Sequence, residues 1–322
     1  MAELYAGIDL GGTTLVGAIA GTDGRIVAER SMPTESHRGP QAVLDTAADL
    51  VNALADSVGA RVAAVGMGVP GLVDLRAGVT KFLPNLPTQW RDVAVREILS
   101  PRLGCEVYLL NDVRTATLGE LTFGHGKQAD TMLFFALGTG IGGGVVVNRV
   151  LRLGPLGAAG ELGHQTILPD GPRCGCGNRG CLEALASAPA IAAEGVRLLL
   201  SGQAPKLQEI VDGDAGRVTT KEMAQAATQG DQRVAEAITR AAEYLGIGVA
   251  NAITILHPDL VVLGGGAAAM GELLFDPVRK TVARRVNMFP VDTIRIEPSM
   301  LGDRAGVLGA VALAMKGGLI SQ

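Results

Sequence analysis

The sequence predicts an α/β protein made of two related halves, and three observations carry that expectation. "LYAGIDLGGTTLVGAIAGTDGRIVAE" from Leu4 to Glu29 reads as strand, glycine turn, strand, Asp-Gly turn, strand. "TMLFFALGTGIGGGVVVNRVLRLG" from Thr131 to Gly154 repeats that pattern with little identity, which marks an internal structural repeat. Between and after these stretches, segments with helical periodicity alternate with short apolar runs, as α/β units require.

Each element can be justified in order. Leu4 to Asp9 is a short apolar strand, Val16 to Ala20 follows the glycines, and Asp23-Gly24 is a hairpin signal. A helix is expected over about Gly39 to Val58, because Val43, Leu44, Ala47, Leu50 and Leu54 fall on one face. "VAAVGMGVPGLVD" is a buried strand ending in a Gly/Pro loop, and "EVYLLND" is a strand with polar last residues. In the second half, helices are expected over 182–194, 219–228 and 231–256, the last interrupted by Gly246 and Gly248. "DLVVLGGGAAAM" is expected to be strand, glycine loop, helix. A closing helix is expected from Asp303 to Lys316, with Asp303 as N-cap. Ligands are expected in a cleft between the halves.

Composition narrows the function. Of 322 residues 48% are hydrophobic but only 3% aromatic, so the core must be Ala, Val, Leu and Ile. The 45 glycines come in blocks, which reads as tight turns rather than linker. A net charge of -4 gives no reason to expect nucleic acid. No leader-like segment or apolar run near 18 residues points to a membrane. Three of the four cysteines are clustered, which argues against a disulfide scaffold, so a cytoplasmic protein is expected.

Several motifs carry chemistry. In "DLGGTT" Asp9 stands at a strand end, where Mg²⁺ or its water shell would be held. Gly11 and Gly12 can form an anion nest, and Thr13 or Thr14 can donate to a phosphate. The plain alternative is a tight hairpin with an Asx turn. It is not a P-loop, since no GKS or GKT follows. Gly138, Thr139 and Gly140 in "LGTGIGGG" offer a second nest, and Gly264, Gly265 and Gly266 a third loop at a helix N-terminus. Three such loops together point to a polyphosphate nucleotide. Asn111-Asp112 ends a strand; Asp112 can take a hydroxyl proton in phosphoryl transfer, while the plain alternative is a helix N-cap for the segment from Val113.

His164, Cys174, Cys176 and Cys181 supply one imidazole and three thiols, a set suited to a closed, structural zinc site; buried thiols are the alternative. Such a site would hold Glu161 and Glu183, which with Asn85 are groups able to grip a polyol, though both acids are also readable as surface residues. Cys105 reads as an ordinary buried thiol, and His37, His125 and His257 as surface or loop residues.

These pieces together resemble the ROK sugar kinases, bacterial glucokinases in particular, from Tyr5 to about Lys316. The matching motifs are DLGGTT (9–14), GVPGLVD (68–74, with Gly71), LPNLP (83–87), LLNDV (109–113), LGTGIGGG (137–144), GAAGELGH (157–164), CGCGNRGCLE (174–183) and LGGG (263–266). The resemblance implies a two-domain actin-like ATPase (ribonuclease H-like) fold with an interdomain cleft. Its small domain would be residues 1–113 completed by a C-terminal segment 303–322, and its large domain 114–302. It implies ATP-dependent phosphorylation of a hexose at the 6-hydroxyl, glucose first, with Mg²⁺, structural Zn²⁺ and a homodimer or homotetramer. Other kinases of the family act on N-acetylglucosamine, N-acetylmannosamine or mannose. Asp112 would be the base and Asp9 the Mg²⁺-associated acid. Gly71, Asn85, Asn111, Asp112, Glu161, His164 and Glu183 would line the sugar. The family also includes sugar-responsive repressors with an N-terminal winged helix, for which a phosphate motif beginning at residue 9 leaves no room. Two departures stand out: Thr14 replaces a more usual Lys, Asn or Ser, and Val113-Arg114-Thr115 replaces small residues with an Asn, so Arg114 is expected to face solvent or the substrate's far side.

Overall fold

The computed structural model describes residues 3–83 and 86–320. The chain runs β1 (Leu4–Leu10), β2 (Thr14–Gly21), β3 (Ile26–Pro33), α1 (Pro40–Ser57), β4 (Ala64–Val69), β5 (Leu72–Asp74), β6 (Val79–Phe82), α2 (Val95–Leu103), β7 (Glu106–Asn111) and α3 (Asp112–Phe123). It continues through β8 (Met132–Leu137), β9 (Ile141–Val147), β10 (Val150–Leu151), α4 (Leu182–Ala186), α5 (Ala188–Leu200), α6 (Pro205–Val211) and α7 (Thr220–Thr228). The last elements are α8 (Gln232–Leu256), β11 (Leu260–Gly264), α9 (Glu272–Arg285), β12 (Arg295–Pro298) and α10 (Ala305–Met315).

Two five-stranded sheets share one order, β3-β2-β1-β4-β7 and β10-β9-β8-β11-β12. In the first, β1 is antiparallel to β2 and parallel to β4, which is parallel to β7. In the second, β11 runs parallel to both β8 and β12. The common order is what a repeated strand-turn-strand opening produces when each half adds two parallel strands.

The chain divides into two compact units. Unit 1 comprises Met1–Asp130, Gly144–Gly160 and Ser299–Gln322; unit 2 comprises Thr131–Gly143 and Glu161–Pro298. The boundary expected at 113 would cut the first turn of α3, but that helix packs on α10 within unit 1, which runs on to Asp130.

Unit 1 is a sheet covered on both faces, as parallel strands require. Ala6, Ile8 and Leu10 of β1 join Val43, Leu44, Ala47, Leu50 and Val51 of α1 in one core. Alternation turns Gly7 and Asp9 to the opposite face, toward α10. α10 is buried from Ala305 to Ala314, and it can lie flat on β4 only because Gly66 has no side chain. A Cβ there would overlap the carbonyl oxygen of Ala310. Gly66→Ala therefore lowers the unfolding free energy by about 3 kcal/mol in urea titration; unchanged stability would contradict this contact.

In unit 2 the buried positions of α8 (Val234, Ala237, Ile238, Ala241, Leu245, Val249, Ile253) follow the helical period. Contrary to the expected interruption, α8 is continuous. Gly246 and Gly248 are contact points instead: Cβ atoms there would press on the side chains of Thr281 and Leu182. The helix expected over 182–194 is two, because Ser187 leaves helical geometry (ψ 161°) and caps α5 through Ala190 N–H. A 3-10 turn, Gly266–Met270, follows β11, and the α-helix starts only at Glu272. α10 likewise starts at Ala305 after a 3-10 turn, so Asp303 is not its cap. Among the described residues no single helix is long and apolar enough to cross a membrane.

Candidate active site and metal centre

The parallel strands of unit 1 align the acids. Asp9 of β1 is level with Gly68 of β4, and Val69 is level with Asn111 of β7. Asp9 and the Asn111-Asp112 pair therefore end together at the carboxyl edge of the sheet, where α/β folds bind ligands. Burial, and then the negative charge of Asp112, push the Asp9 carboxyl up to about 7. Burial pushes Asp112 up to about 6, against the Val113 N–H, the charge of Arg114 and the Asn111 side chain, which favour its anion.

Both readings of Asn111-Asp112 hold at once. Asn111 is the N-cap of α3, its Oδ1 accepting from Val113 N (3.1 Å) and Arg114 N (3.2 Å). Its Nδ2 donates to Asp112 Oδ1 (2.9 Å) and to the Gly71 carbonyl (3.2 Å). Asp112 Oδ1 also accepts from Val113 N at 2.8 Å. Two donors thus occupy one carboxylate oxygen, Oδ1. Gly71 belongs here because a Cβ would overlap the Phe82 carbonyl.

The Gly11-Gly12-Thr13-Thr14 turn is closed by Gly11 N–H on the Thr14 carbonyl at 2.9 Å, so Gly11 spends its donor inside the turn. Thr13 and Thr14 are exposed. Thr34 Oγ1 bonds the Gly11 carbonyl (2.8 Å), Thr34 N–H the Thr13 carbonyl (2.9 Å) and Ser36 Oγ the Gly12 carbonyl (3.2 Å). These two supports escaped sequence reading, since no spacing ties residues 34 and 36 to a turn 20 positions earlier. Gly306 escaped too; a Cβ there would overlap the Asp9 carboxylate.

In unit 2 the other two glycine loops meet. Gly264 pairs in register with Ala136, and Gly265, with φ +83°, packs so closely on Leu137 that a Cβ would stand 2.6 Å from its carbonyl oxygen. Gly138, Thr139 and Gly140 follow directly. That loop is pinned by Gly138 N–H on the Gly140 carbonyl (2.9 Å), Ala188 N–H on the Gly138 carbonyl (3.0 Å) and Ile141 N–H on Glu183 Oε2 (3.0 Å).

His164, Cys174, Cys176 and Cys181 converge, their ligand atoms all within 4.8 Å of one another. Cys174 Sγ to His164 Nδ1 and Cys176 Sγ to Cys181 Sγ are each 3.7 Å. Four ligands at zinc bond lengths of about 2.0–2.3 Å stand roughly 3.5–3.8 Å apart, so the residues fit a tetrahedral zinc ion. Burial pushes the Cys174 thiol up to about 12 and raises Cys181, whereas the Asn178 N–H lowers Cys176. A metal must displace these thiol protons, so its affinity falls with pH. Gly180, at φ +63°, lets the loop close on Leu168. Both acids stand beside the cluster: Glu183 Oε1 is 3.4 Å from Cys174 Sγ, and Glu161 Oε2 is 3.9 Å from His164 Nε2.

Asn85 lies outside the described residues. Arg114 does not face solvent: it is only 2% exposed and bonds Asn111 and the Ala159 carbonyl.

Unit 1 thus carries two acids with raised pKa values at a sheet edge, and unit 2 carries pinned glycine loops and a three-thiol, one-imidazole cluster able to hold a metal. The chain belongs to the ROK family, whose profile matches residues 5–317. It is 37% identical to the glucokinase of Thermotoga maritima over 310 residues, 95% of this chain and 96% of that protein. A ROK family glucokinase from Streptomyces griseus, solved in complex with glucose and AMPPNP, superposes with a TM-score of 0.85 at 32% identity, covering 97% of this chain and 99% of that one. The xylose repressor of Bacillus subtilis is 28% identical over 96% of this chain and 76% of that protein. The mixed sheets are those of the actin-like, ribonuclease H-like kinases of this family.

Proposed function

We propose that this chain is an ATP-dependent hexokinase that phosphorylates the 6-hydroxyl of glucose. The observation that carries the reading is the Asp112 carboxylate, with one oxygen held by Asn111 and Val113 and basicity poised near 6. In the reaction Asp112 takes the proton of the 6-hydroxyl as its oxygen bonds to the γ-phosphorus. The bond between that phosphorus and the bridging oxygen of ADP breaks, and ADP carries the electrons away. Asp9 would hold Mg²⁺ directly or through water, and a divalent cation there would draw its raised pKa down. When bound, Mg²⁺ neutralises charge developing on the phosphate oxygens.

The exposed Thr13 and Thr14, and the Gly138–Gly140 and Gly264–Gly266 loops, suit the nucleotide. Asn111 and, by motif, Asn85 suit sugar hydroxyls, and so do Glu161, His164 and Glu183 beside the thiol cluster. Zinc at His164, Cys174, Cys176 and Cys181 fills a closed, structural role. Similarity to glucokinases over nearly the full length supports glucose. The family's repressors make a sugar-responsive regulator the second reading; retention of both Asp9 and Asp112 favours the kinase. A homodimer or homotetramer in the cytoplasm completes this reading, on the resemblance to the family's sugar kinases.

The test is a coupled ADP-release assay with ATP and Mg²⁺ over glucose, mannose, N-acetylglucosamine, N-acetylmannosamine and xylose. Glucose should give the highest kcat/KM. ADP release with none of them, from a folded and zinc-loaded protein, would favour the regulator.

A further inference from the structure

We infer that Arg114 is a positioning residue for the base: it locks the Asn111 amide so that Nδ2 meets Asp112 and Gly71, leaving Asp112 Oδ2 to take the proton. This rests on the kinase reading above and deepens it. Arg114 Nη1 donates to Asn111 Oδ1 at 3.2 Å, while Nε (3.2 Å) and Nη2 (2.9 Å) grip the Ala159 carbonyl. The Asn111 amide is thereby oriented by three donors on its oxygen, Val113 N, Arg114 N and Arg114 Nη1. Flipping the amide would set its NH₂ against all three and leave Asp112 Oδ1 facing a carbonyl oxygen.

A cation in the first turn opposes the helix dipole, and a buried guanidinium needs partners, which Arg114 has. What Arg adds is a rigid fork that reaches two acceptors at once, which Lys cannot reproduce. The fork ties the cap of α3 to Ala159, two residues before Glu161 in the chain.

β1 faces Asp112 with Asp9, and α3 carries Arg114 and Glu120; β7 carries Glu106 and Tyr108, β5 Asp74, and β4 and α10 no ionisable side chain. Of these, Arg114 is the cation that lowers the Asp112 pKa, so removing its charge should raise the acid limb of kcat/KM as well as slow the reaction.

The experiment compares wild type, Arg114→Lys, Arg114→Ala, Asn111→Ala and the Arg114→Ala/Asn111→Ala pair, each with kcat and kcat/KM across pH and sugar affinity by calorimetry. Expected for Arg114→Ala is a kcat loss of about 10–100-fold, a sugar affinity changed less than about threefold, and an acid limb moved up by about half a pH unit. Arg114→Lys should restore the limb but not the rate. In the Asn111→Ala background, Arg114→Ala should cost less than about twofold, because the group it acts through is gone. Losses that multiply in the pair, or an Arg114→Ala kcat within about twofold of wild type, would overturn the inference. Should Arg114→Ala fail to fold, Arg114→Lys decides, since it keeps stem and charge; wild-type kcat in that variant overturns it. Failure of the kinase reading looks different: wild type itself would phosphorylate no sugar.

Discussion

Asp112→Asn stops phosphoryl transfer and stabilises the protein at neutral pH. Loss of the base lowers kcat by about 10³-fold, within the range for general base catalysis, while the Asn111 and Val113 donors keep an acceptor oxygen at the same place. The stability gain follows from burial. In the folded protein Asp112 titrates at about 6, above its ordinary 3.8. Between those values the native state binds more protons than the unfolded chain, so stability falls as pH rises through that window. The full deficit above pH 6 is at most about 3 kcal/mol, and solvent at a half-buried site reduces it to the order of 1–2 kcal/mol. Asn carries no such penalty. Melting curves at pH 5 and pH 8 should show wild type losing stability relative to Asp112→Asn at the higher pH. The same pKa sets the acid limb of wild-type kcat/KM near pH 6. A variant no more stable than wild type at pH 8 would contradict the buried anion.

Removal of the metal has the second large effect. One zinc per chain is expected by elemental analysis, and Cys181→Ser or chelation should abolish it. Within 161–183 the buried hydrophobic residues are Cys174, Cys181 and Leu182, so little besides the thiols anchors the loop, and the donor spacing fits a tetrahedral ion. Since metal affinity is folding free energy for such a loop, its loss should lower Tm by about 10 °C. Sugar KM should rise more than about tenfold, because Glu161, His164 and Glu183 are positioned by that loop. The nucleotide side should suffer as well, since Glu183 also holds the Ile141 N–H beside Gly140. Full activity in a verified zinc-free protein would remove the structural role.

Much of this was legible in the sequence. Strands ending in Gly-rich turns and the long helix periods are local signals, and the common order of the two sheets follows from the repeated opening. The thiol cluster was legible because its four ligands lie within residues 164–181. What escaped was nonlocal. Gly246 and Gly248 read as helix breaks because a lone helix pays for glycine, but packing against Thr281 and Leu182 reverses that judgement. Asp303 read as a cap because its side chain suits one, yet a 3-10 turn carries the chain past it to Ala305. Thr34 and Ser36 reach the Gly11–Thr13 turn only through folding of β3 beside β2. Arg114 read as facing solvent or the substrate's far side because buried arginines are rare; its acceptors, Asn111 Oδ1 and the Ala159 carbonyl, are brought together by tertiary structure.

The central claim is that this chain transfers phosphate from ATP to the 6-oxygen of glucose with Asp112 as the base. Phosphorus and carbon NMR of wild-type protein with ATP, Mg²⁺ and glucose tests it most directly. The account predicts glucose 6-phosphate and ADP appearing in equal amounts. ADP with free phosphate and unchanged glucose, or a phosphate on another oxygen, would contradict it.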